Sequence, residues 1–381
     1  MKVALVHEWL TNLAGSERVV EALAGMFPGA PVHVAMHRGN LGARLGLTDV
    51  RTSFLQRLPL PHQATLPLMP LAFEQFDLRA YDLVLTSTHA CAKGVLVRPD
   101  ALHVAYCHTP TRYLWDMAPE YIESLPAVLR PFAAWQLHRL RQWDVLAARR
   151  VDHWLANSGE VRSRIRRWYG ADAVVVPPPV DVSRFRPAPA DEVGPHMLVV
   201  SRLVPYKRVD LAVAACTRLG VPLRVIGDGP ERRRLEAMAG PGVTFMGALD
   251  DQRVAHELAR AEALLFPGLE DFGIVPVEAM ASGRPVIALG RGGALDSVLP
   301  GVTGCFFPEP EVPALAAAIG EARTIAWQPQ AMVAHAAGFA PDRFKQRVAT
   351  VLEPLLAARD AQGSKAPSEP FRGVAAVAGG A

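Results

Sequence analysis

Short, continuous apolar runs alternate with longer helix-period segments along this chain, and the runs fall into two series. The first series lies at residues 3–6, 32–35, 83–86, 102–107 and 154–156, the second at 197–200, 223–226, 243–245, 263–266 and 286–289. Runs without polar alternation are what parallel strands read as when helices cover both faces of their sheet. Between the series stands VVPPPVDVSRFRPAPADEVGP. Three consecutive prolines can continue neither a helix nor a central strand, so residues 177–195 read as a connector. The pattern predicts an α/β protein of two domains meeting there, and 381 residues are too many for one ordinary core.

Composition narrows the partners. Half of the residues are hydrophobic and a fifth charged, which excludes disorder for most of the chain. A formal charge of +3 excludes a strongly basic nucleic-acid binder by charge alone. No apolar run reaches the roughly 18 residues needed to span a bilayer. The opening MKVALVHEWL meets His7 and Glu8 too early for a signal peptide and reads as a first buried strand. Cys91, Cys107, Cys216 and Cys305 show no CxxC spacing and read as small buried hydrophobes of a reducing compartment. A cytoplasmic protein without nucleic-acid partners or metal is expected. The segment from residue 341 has helical period and reads as a closing helix. From residue 362 the Gly-, Ala-, Pro- and Ser-rich tail reads as disordered.

Two stretches depart from a plain α/β layout. Residues 52–76 hold four prolines among many leucines, either an irregular connection packed on the core or a surface for an apolar ligand. Residues 130–170 hold nine arginines against three acids, with Trp135, Trp143, Trp154 and Trp168. An Arg/Trp-rich amphipathic helix can lie on an anionic membrane, and a solvated helix face with tryptophans in the core would look the same.

Five segments carry chemistry. FPGLEDFGIVPVEAMASGRPVIAL, residues 266–289, reads strand end, tight loop, helix, Gly break and strand. Pro276 suits a first helical turn, so the helix starts near Gly273 and the amides of Phe272, Gly273 and Ile274 face outward as an anion site. Glu270 and Glu278 flank that site. Two carboxylates beside bound phosphate make sense if they face hydroxyl-rich parts of the same ligand. In SRLVPYKR, Arg202 and Lys207 follow a strand end, where cations meet a diphosphate in an interdomain crevice. Gly227 and Gly229 open VIGDGPER, but Arg232 stands where a dinucleotide fingerprint needs its third glycine. A turn that lets a nucleotide approach the backbone at Gly229 remains open. Gly15 and Ser16 precede an early helix, Gly15 allowing a phosphate close and Ser16 suiting an N-cap. His108 stands at the carboxyl edge of a strand before Pro110, the active edge of this fold class.

Together these segments resemble the retaining nucleotide-sugar glycosyltransferases of family 4. The E-x7-E element formed by Glu270 and Glu278 carries the resemblance, supported by SRLVPYKR, VIGDGPER and VTFMGALDD in the family's order. HEWLTNLAGSERVVEAL, YCHTPTRYLWD and PPPVDVSRF are similar to bacterial mannosyltransferases acting on lipid-linked O-antigen or exopolysaccharide intermediates. The resemblance implies the GT-B fold, two Rossmann-like domains facing across a cleft. An acceptor domain would cover residues 1–185, a nucleotide-sugar domain 195–340, the closing helix 341–361 and the tail 362–381. It implies that Arg202, Lys207 and the 272–274 amides neutralise the diphosphate and that Gly15 approaches it from the other domain. Glu278 would hold ribose, Glu270 the transferred sugar, and His108 would touch that sugar near its reacting carbon. The partners implied are a nucleotide-sugar donor, a polyprenyl-linked glycan acceptor and the anionic inner membrane. The chain departs from the family at Gly15-Ser16, where relatives show consecutive glycines. No D-x-D pair occurs, so no metal cofactor is expected. The resulting expectation is transfer of mannose from GDP-mannose onto a lipid-linked oligosaccharide in cell-surface polysaccharide synthesis. The alternatives are a UDP-sugar transferase of the same fold and a non-catalytic assembly protein; a nicotinamide oxidoreductase is disfavoured by the incomplete glycine pattern.

Overall fold

A computed structural model describes residues 1–59, 62–123 and 125–363. The first sheet contains β1 (Val3–His7), β2 (Val32–Val34), β3 (Val50–Thr52), β4 (Leu83–Thr88), β5 (Leu102–Cys107), β6 (His153–Ala156) and β7 (Ala173–Val175). The second contains β8 (Met197–Val200), β9 (Leu223–Ile226), β10 (Val243–Gly247), β11 (Ala263–Phe266), β12 (Val286–Leu289) and β13 (Gly304–Phe307). Strand orders are β3-β2-β1-β4-β5-β6-β7 and β10-β9-β8-β11-β12-β13, and the pairings are parallel. In each sheet the order reverses beside the first strand, which opens a crevice at the carboxyl ends of β1 and β4 and of β8 and β11.

Burial explains the continuous apolar runs. Leu5, Leu83 and Leu85 pack on one face of the first sheet, while Ala4, Val6 and Val84 pack on the other. In the second sheet, Met197, Val199 and Leu265 face one core and Leu198 and Leu264 the other. Successive strand residues point to opposite faces, so a strand covered on both sides must be apolar throughout. The edge strands β3, β7 and β13 are three or four residues long and leave little apolar signal in the sequence.

Within the proline-rich connector, residues 182–184 and 190–192 form single 3-10 turns. The helix Pro341–Gly363 follows the second domain in sequence yet packs on the first. Its Phe344, Val348 and Leu352 join the core built on Leu5, Val19 and Leu23. A bond from the Val180 amide to the Phe339 carbonyl, 2.8 Å, ties the two crossings together. Residues 52–76 pack inward through Leu55, Met69 and Phe73, which are buried, whereas Leu68 and Leu71 are exposed. Leu60 and Pro61, and the tail from residue 364, lie outside the described residues; Gln362 and Gly363 end the closing helix. All four cysteines are buried and free. Among the described residues no helix is long and apolar enough to cross a membrane.

The crevice of the first domain is built on a buried charge. Glu8, directly after β1, is fully buried and accepts from the Thr88 hydroxyl and from the amides of His89, Ala90, Cys91 and Ala92, at 2.8–3.1 Å. Burial alone would raise its carboxyl pKa, but His89, the Ala92 amide, Lys93 and the Ala90 amide outweigh it and hold it below the usual value. Lys93 then pairs with Asp144 at 2.6 Å and donates to the Ala90 carbonyl. Asp144 also accepts from the Thr111 hydroxyl and the Trp115 indole, both at 2.9 Å. Removing one member of a buried pair strands the other charge and costs about 3–5 kcal/mol, whereas replacing both with apolar groups costs far less. Lys93→Met should therefore lower stability by about 3–5 kcal/mol in urea titrations. Lys93→Met/Asp144→Leu should lie closer to wild type than either single variant; a double variant weaker than both would refute the account.

Candidate active site

The second domain supplies the cations. After β8 the chain passes Ser201 and Arg202 and makes one 3-10 turn, Pro205–Lys207, before the helix Val209–Leu219. This turn carries Lys207 to Glu270, with Nζ 2.5 Å from Oε2. Arg202 Nη2 donates to the Tyr206 hydroxyl at 2.8 Å. The Lys207 ammonium stands 5.4 Å from the Tyr206 ring centre, and Arg112 of the first domain stands 5.2 Å from it. Three cations thus gather around one tyrosine where the domains meet. Such a cluster suits a multiply charged anion.

Beside it the loop after β11 enters the helix Ile274–Ala281. Gly273 is its N-cap, at a φ of 85°. Pro276 sits in the first turn, where an amide hydrogen is not needed. Among the described residues, the amides of Phe272, Gly273 and Ile274 find no protein acceptor. The Phe272 ring turns inward, 3% exposed, against Phe339. Its backbone rather than its side chain is therefore available to a ligand. Glu278 is half-buried one turn on, and among the described residues no side chain donates to its carboxylate. Burial pushes its pKa up to about 7, against a smaller opposing pull from Arg184.

The first domain meets this end directly. A Cβ on Gly15 would lie 2.5 Å from Ile274 Cδ1, so a larger residue there would have to push the end of the Ile274 side chain aside. Ser16 is not the N-cap expected from the sequence: the helix Gly15–Met26 begins two residues earlier, with Ala14 at the cap position. Glu17 reaches back to the Ala14 amide at 2.9 Å and takes the Ser16 hydroxyl at 3.0 Å. His108 follows β5, and its Nε2 lies 2.8 Å from Ser87 Oγ. Burial, then His89 and His7, push its pKa well below the ordinary histidine value, so the ring is neutral. Gly229 has a reason within the protein: a Cβ there would lie 2.3 Å from the Leu203 carbonyl oxygen. The glycine is required for the β8 and β9 exit loops to pack, whether or not a nucleotide approaches. The structure thus brings together Gly15 with Ile274, Arg202 with Lys207 and Glu270, and His108 with the neighbouring edge of the first sheet.

Sequence reasoning missed the residues that bridge the cleft. Arg164 Nη1 lies 2.6 Å from Asp271 Oδ1, and Arg112 Nη1 lies 3.8 Å from Asp271 Oδ2. Asp296 accepts the Gly159 amide through both carboxylate oxygens, at 3.0 and 3.1 Å. Burial raises the Asp271 pKa despite its two arginines. No local spacing announces pairs separated by 107 or 137 residues. Among the described residues no group of three His, Cys, Asp or Glu side chains is arranged to hold a metal ion. A cavity of about 900 Å³ beside Asp82, Asp100 and Arg359 contains none of the residues assembled here.

Two Rossmann-like domains with this cleft define the GT-B class of glycosyltransferases. Solved structures agree on the fold. Anabaena HepE in complex with UDP superposes with a TM-score of 0.69 at 20% identity, over 93% of this chain and 100% of that one. The lipopolysaccharide outer core galactosyltransferase WaaB, in its apo form, gives 0.66 at 18% identity, over 93% and 99%. The profile described as Glycosyltransferase Family 4 matches residues 13–184, and that described as Glycosyl transferases group 1 matches residues 194–323. The chain belongs to this glycosyltransferase family. A GDP-mannose-dependent alpha-mannosyltransferase of Mycobacterium tuberculosis is 33% identical over 265 residues, 65% of this chain and 66% of that protein. A D-inositol 3-phosphate glycosyltransferase of Nocardia farcinica is 33% identical over 223 residues, 50% of this chain and 49% of that protein. The matched stretches span about half to two-thirds of those relatives.

The raised carboxyl of Glu278 gives a stability prediction. Between its ordinary value of 4.5 and about 7, the unfolded chain has released this proton and the folded chain has kept it. Its contribution to stability therefore falls as pH rises through that window and is level above it. The melting temperature of wild type relative to Glu278→Gln should decline between pH 4.5 and 7; a difference independent of pH would refute the assignment.

Proposed function

We propose that the chain is a retaining glycosyltransferase that moves mannose from GDP-mannose onto a polyprenyl-linked oligosaccharide in cell-surface polysaccharide synthesis, without a metal cofactor. The observation that carries this reading is the gathering of Arg112, Arg202 and Lys207 around Tyr206, beside the free amides of 272–274. In this reading the diphosphate leaves against fixed positive charge, which is the largest catalytic term such a site can supply. Arg202, Lys207 and the amides stabilise it, with Gly15 close on the opposite side. Glu270, already paired with Lys207, orients the transferred sugar, Glu278 takes ribose hydroxyls, and His108 faces the sugar near the reacting carbon. The second domain holds the donor and the first the acceptor. Relatives described as GDP-mannose-dependent support mannose. The UDP bound to HepE keeps a UDP-sugar donor as the alternative.

One surface supports contact with the inner face of an anionic membrane. Trp143, Trp154 and Trp168 pack against the protein: Trp143 donates to Glu74, Trp154 is buried, and Trp168 stacks on Trp115 at 4.8 Å. Trp135 instead is 53% exposed beside Phe132 at 61% and Val128 at 83%. Arg130 and Arg139 flank this apolar tip of the helix Arg130–Ala148, Arg139 standing 5.8 Å from the Trp135 ring centre. Apolar wedges ringed by cations suit an anionic interface.

A panel of GDP, UDP, ADP, GDP-mannose, UDP-glucose and NAD tests the donor. A ligand at about 100 times its Kd should add about 2.7 kcal/mol of stability, read as a rise in melting temperature. Stabilisation by GDP and GDP-mannose alone is the expected outcome; stabilisation by UDP species would discard mannose. Lys207→Ala and Glu270→Ala should each lower kcat/KM at least a hundredfold with the fold intact, a loss of about 2.7 kcal/mol of transition-state stabilisation. Wild-type turnover in both would remove the site. Sedimentation with vesicles containing phosphatidylglycerol should retain wild type and lose Phe132→Ser/Trp135→Ser; equal retention would remove the membrane contact.

A further inference from the structure

A row of buried polar groups runs beneath the first-domain side of the site, and the transfer reading leaves it without a role. It starts at Glu17, whose Oε2 takes the Ala14 amide and the Ser16 hydroxyl on either side of Gly15. The other oxygen, Oε1, lies 3.6 Å from His7 Nε2, an electrostatic contact beyond hydrogen-bond reach, and that nitrogen has no hydrogen-bond partner among the described residues. His7 Nδ1 is 3.1 Å from the Ser87 carbonyl oxygen and 3.1 Å from Ser87 Oγ. Ser87 Oγ is 2.8 Å from His108 Nε2. His7 and Ser87 are register partners on β1 and β4, so the sheet itself fixes their alignment. His7, Glu17 and Ser87 are each no more than 1% exposed. A chain of such groups withdrawn from water is costly unless each member is satisfied by the next.

The hydrogens along the chain are constrained. A carbonyl oxygen can only accept, so His7 Nδ1 carries a hydrogen and presents it to the Ser87 carbonyl and hydroxyl together. Ser87 Oγ accepts from His7 and keeps one hydrogen that it can donate to His108 Nε2. A neutral imidazole that accepts at Nε2 carries its hydrogen on Nδ1. Burial by itself would raise the Glu17 pKa, but His7, Glu17's own amide and the Ser16 hydroxyl together hold it below the usual value, so a carboxylate anchors the far end.

We infer that Glu17, His7 and Ser87 are positioning residues that hold His108 in its Nδ1–H form and tie it mechanically to the Ala14–Ser16 turn at the cleft. This rests on the reading that His108 faces the transferred sugar, to which it then presents a donor. The same carboxylate that shapes the turn around Gly15 steadies the histidine, so the leaving-group side and the sugar side of the first domain share one support. His89 stands edge-on to both rings, 6.2 Å from His7 and 6.1 Å from His108, and completes the pocket wall.

The test reads the tautomer directly. Long-range proton–nitrogen NMR on protein labelled with 15N-histidine should show His108 as the Nδ1–H form, its signals identified by their disappearance in His108→Gln. Ser87→Ala should shift His108 toward the Nε2–H form or a mixture and lower kcat about tenfold or more, as a wrong tautomer does at a catalytic imidazole. Donor KM should stay near wild type, and Ser87→Thr, which keeps the hydroxyl, should restore both tautomer and kcat. Glu17→Gln is the second variant, expected to broaden or mix the same signals. An unchanged His108 tautomer in Ser87→Ala overturns the proposal, as does a changed tautomer with unchanged kcat. Wild-type turnover by His108→Gln would instead remove His108 from the transfer reading, while the tautomer in Ser87→Ala still decides the chain.

Discussion

A single buried carboxylate organises the first domain's crevice. Glu8 takes five donors from the turn after β4, and the turn's next residue, Lys93, carries the compensating charge to Asp144. Without Glu8 four amides would face a space closed to water, each at a cost of about 1–3 kcal/mol. The arrangement holds β1, the β4 exit and the helix Arg130–Ala148 in one frame. His7, Ser87 and His108 stand on that frame, so their geometry follows from a charge network buried beneath them.

The second constraint is the closure of the cleft. Gly15 against Ile274, Arg164 and Arg112 against Asp271, and the Gly159 amide against Asp296 all join the two domains. The last two remove charged or polar groups from water, so they gain strength together as the cleft excludes solvent. Arg112 comes from the first domain yet stands over Tyr206 of the second. The cation cluster is therefore complete only when the domains are closed, and an anionic ligand between them would favour closure.

Much of the fold was legible from residues alone. Apart from 243–245, which is the edge strand β10, the two series of apolar runs correspond to the inner strands of both sheets, because strands buried on both faces leave no polar positions. The Glu270–Glu278 segment also read locally: loop, Gly273 cap, Pro276 and helix lie within a few residues of one another, and capping chemistry is short-ranged. The edge strands β3, β7 and β13 did not read, since three or four residues are too few to show a period. Ser16 was misplaced as a cap because Glu17, one residue further, supplies the bond by reaching back. Of the four tryptophans in residues 130–170, composition could not single out Trp135, as exposure depends on which face the rest of the chain covers.

By itself the sequence determined which segments would be strands and helices, where the two domains would divide, and which loops would present amides, cations and carboxylates. Those properties depend on periodicity, proline and glycine stereochemistry, and spacing over a turn or two. Tertiary structure alone decided that Lys207 meets Glu270, that Asp271 bridges to Arg164, that Glu8 feeds the 88–92 turn, and that the closing helix returns to the first domain. These pairings lie 60 to more than 300 residues apart in sequence, and parallel crossovers bring them together only when both sheets have formed. A charge far along the chain has no preferred partner until packing removes water and leaves it one.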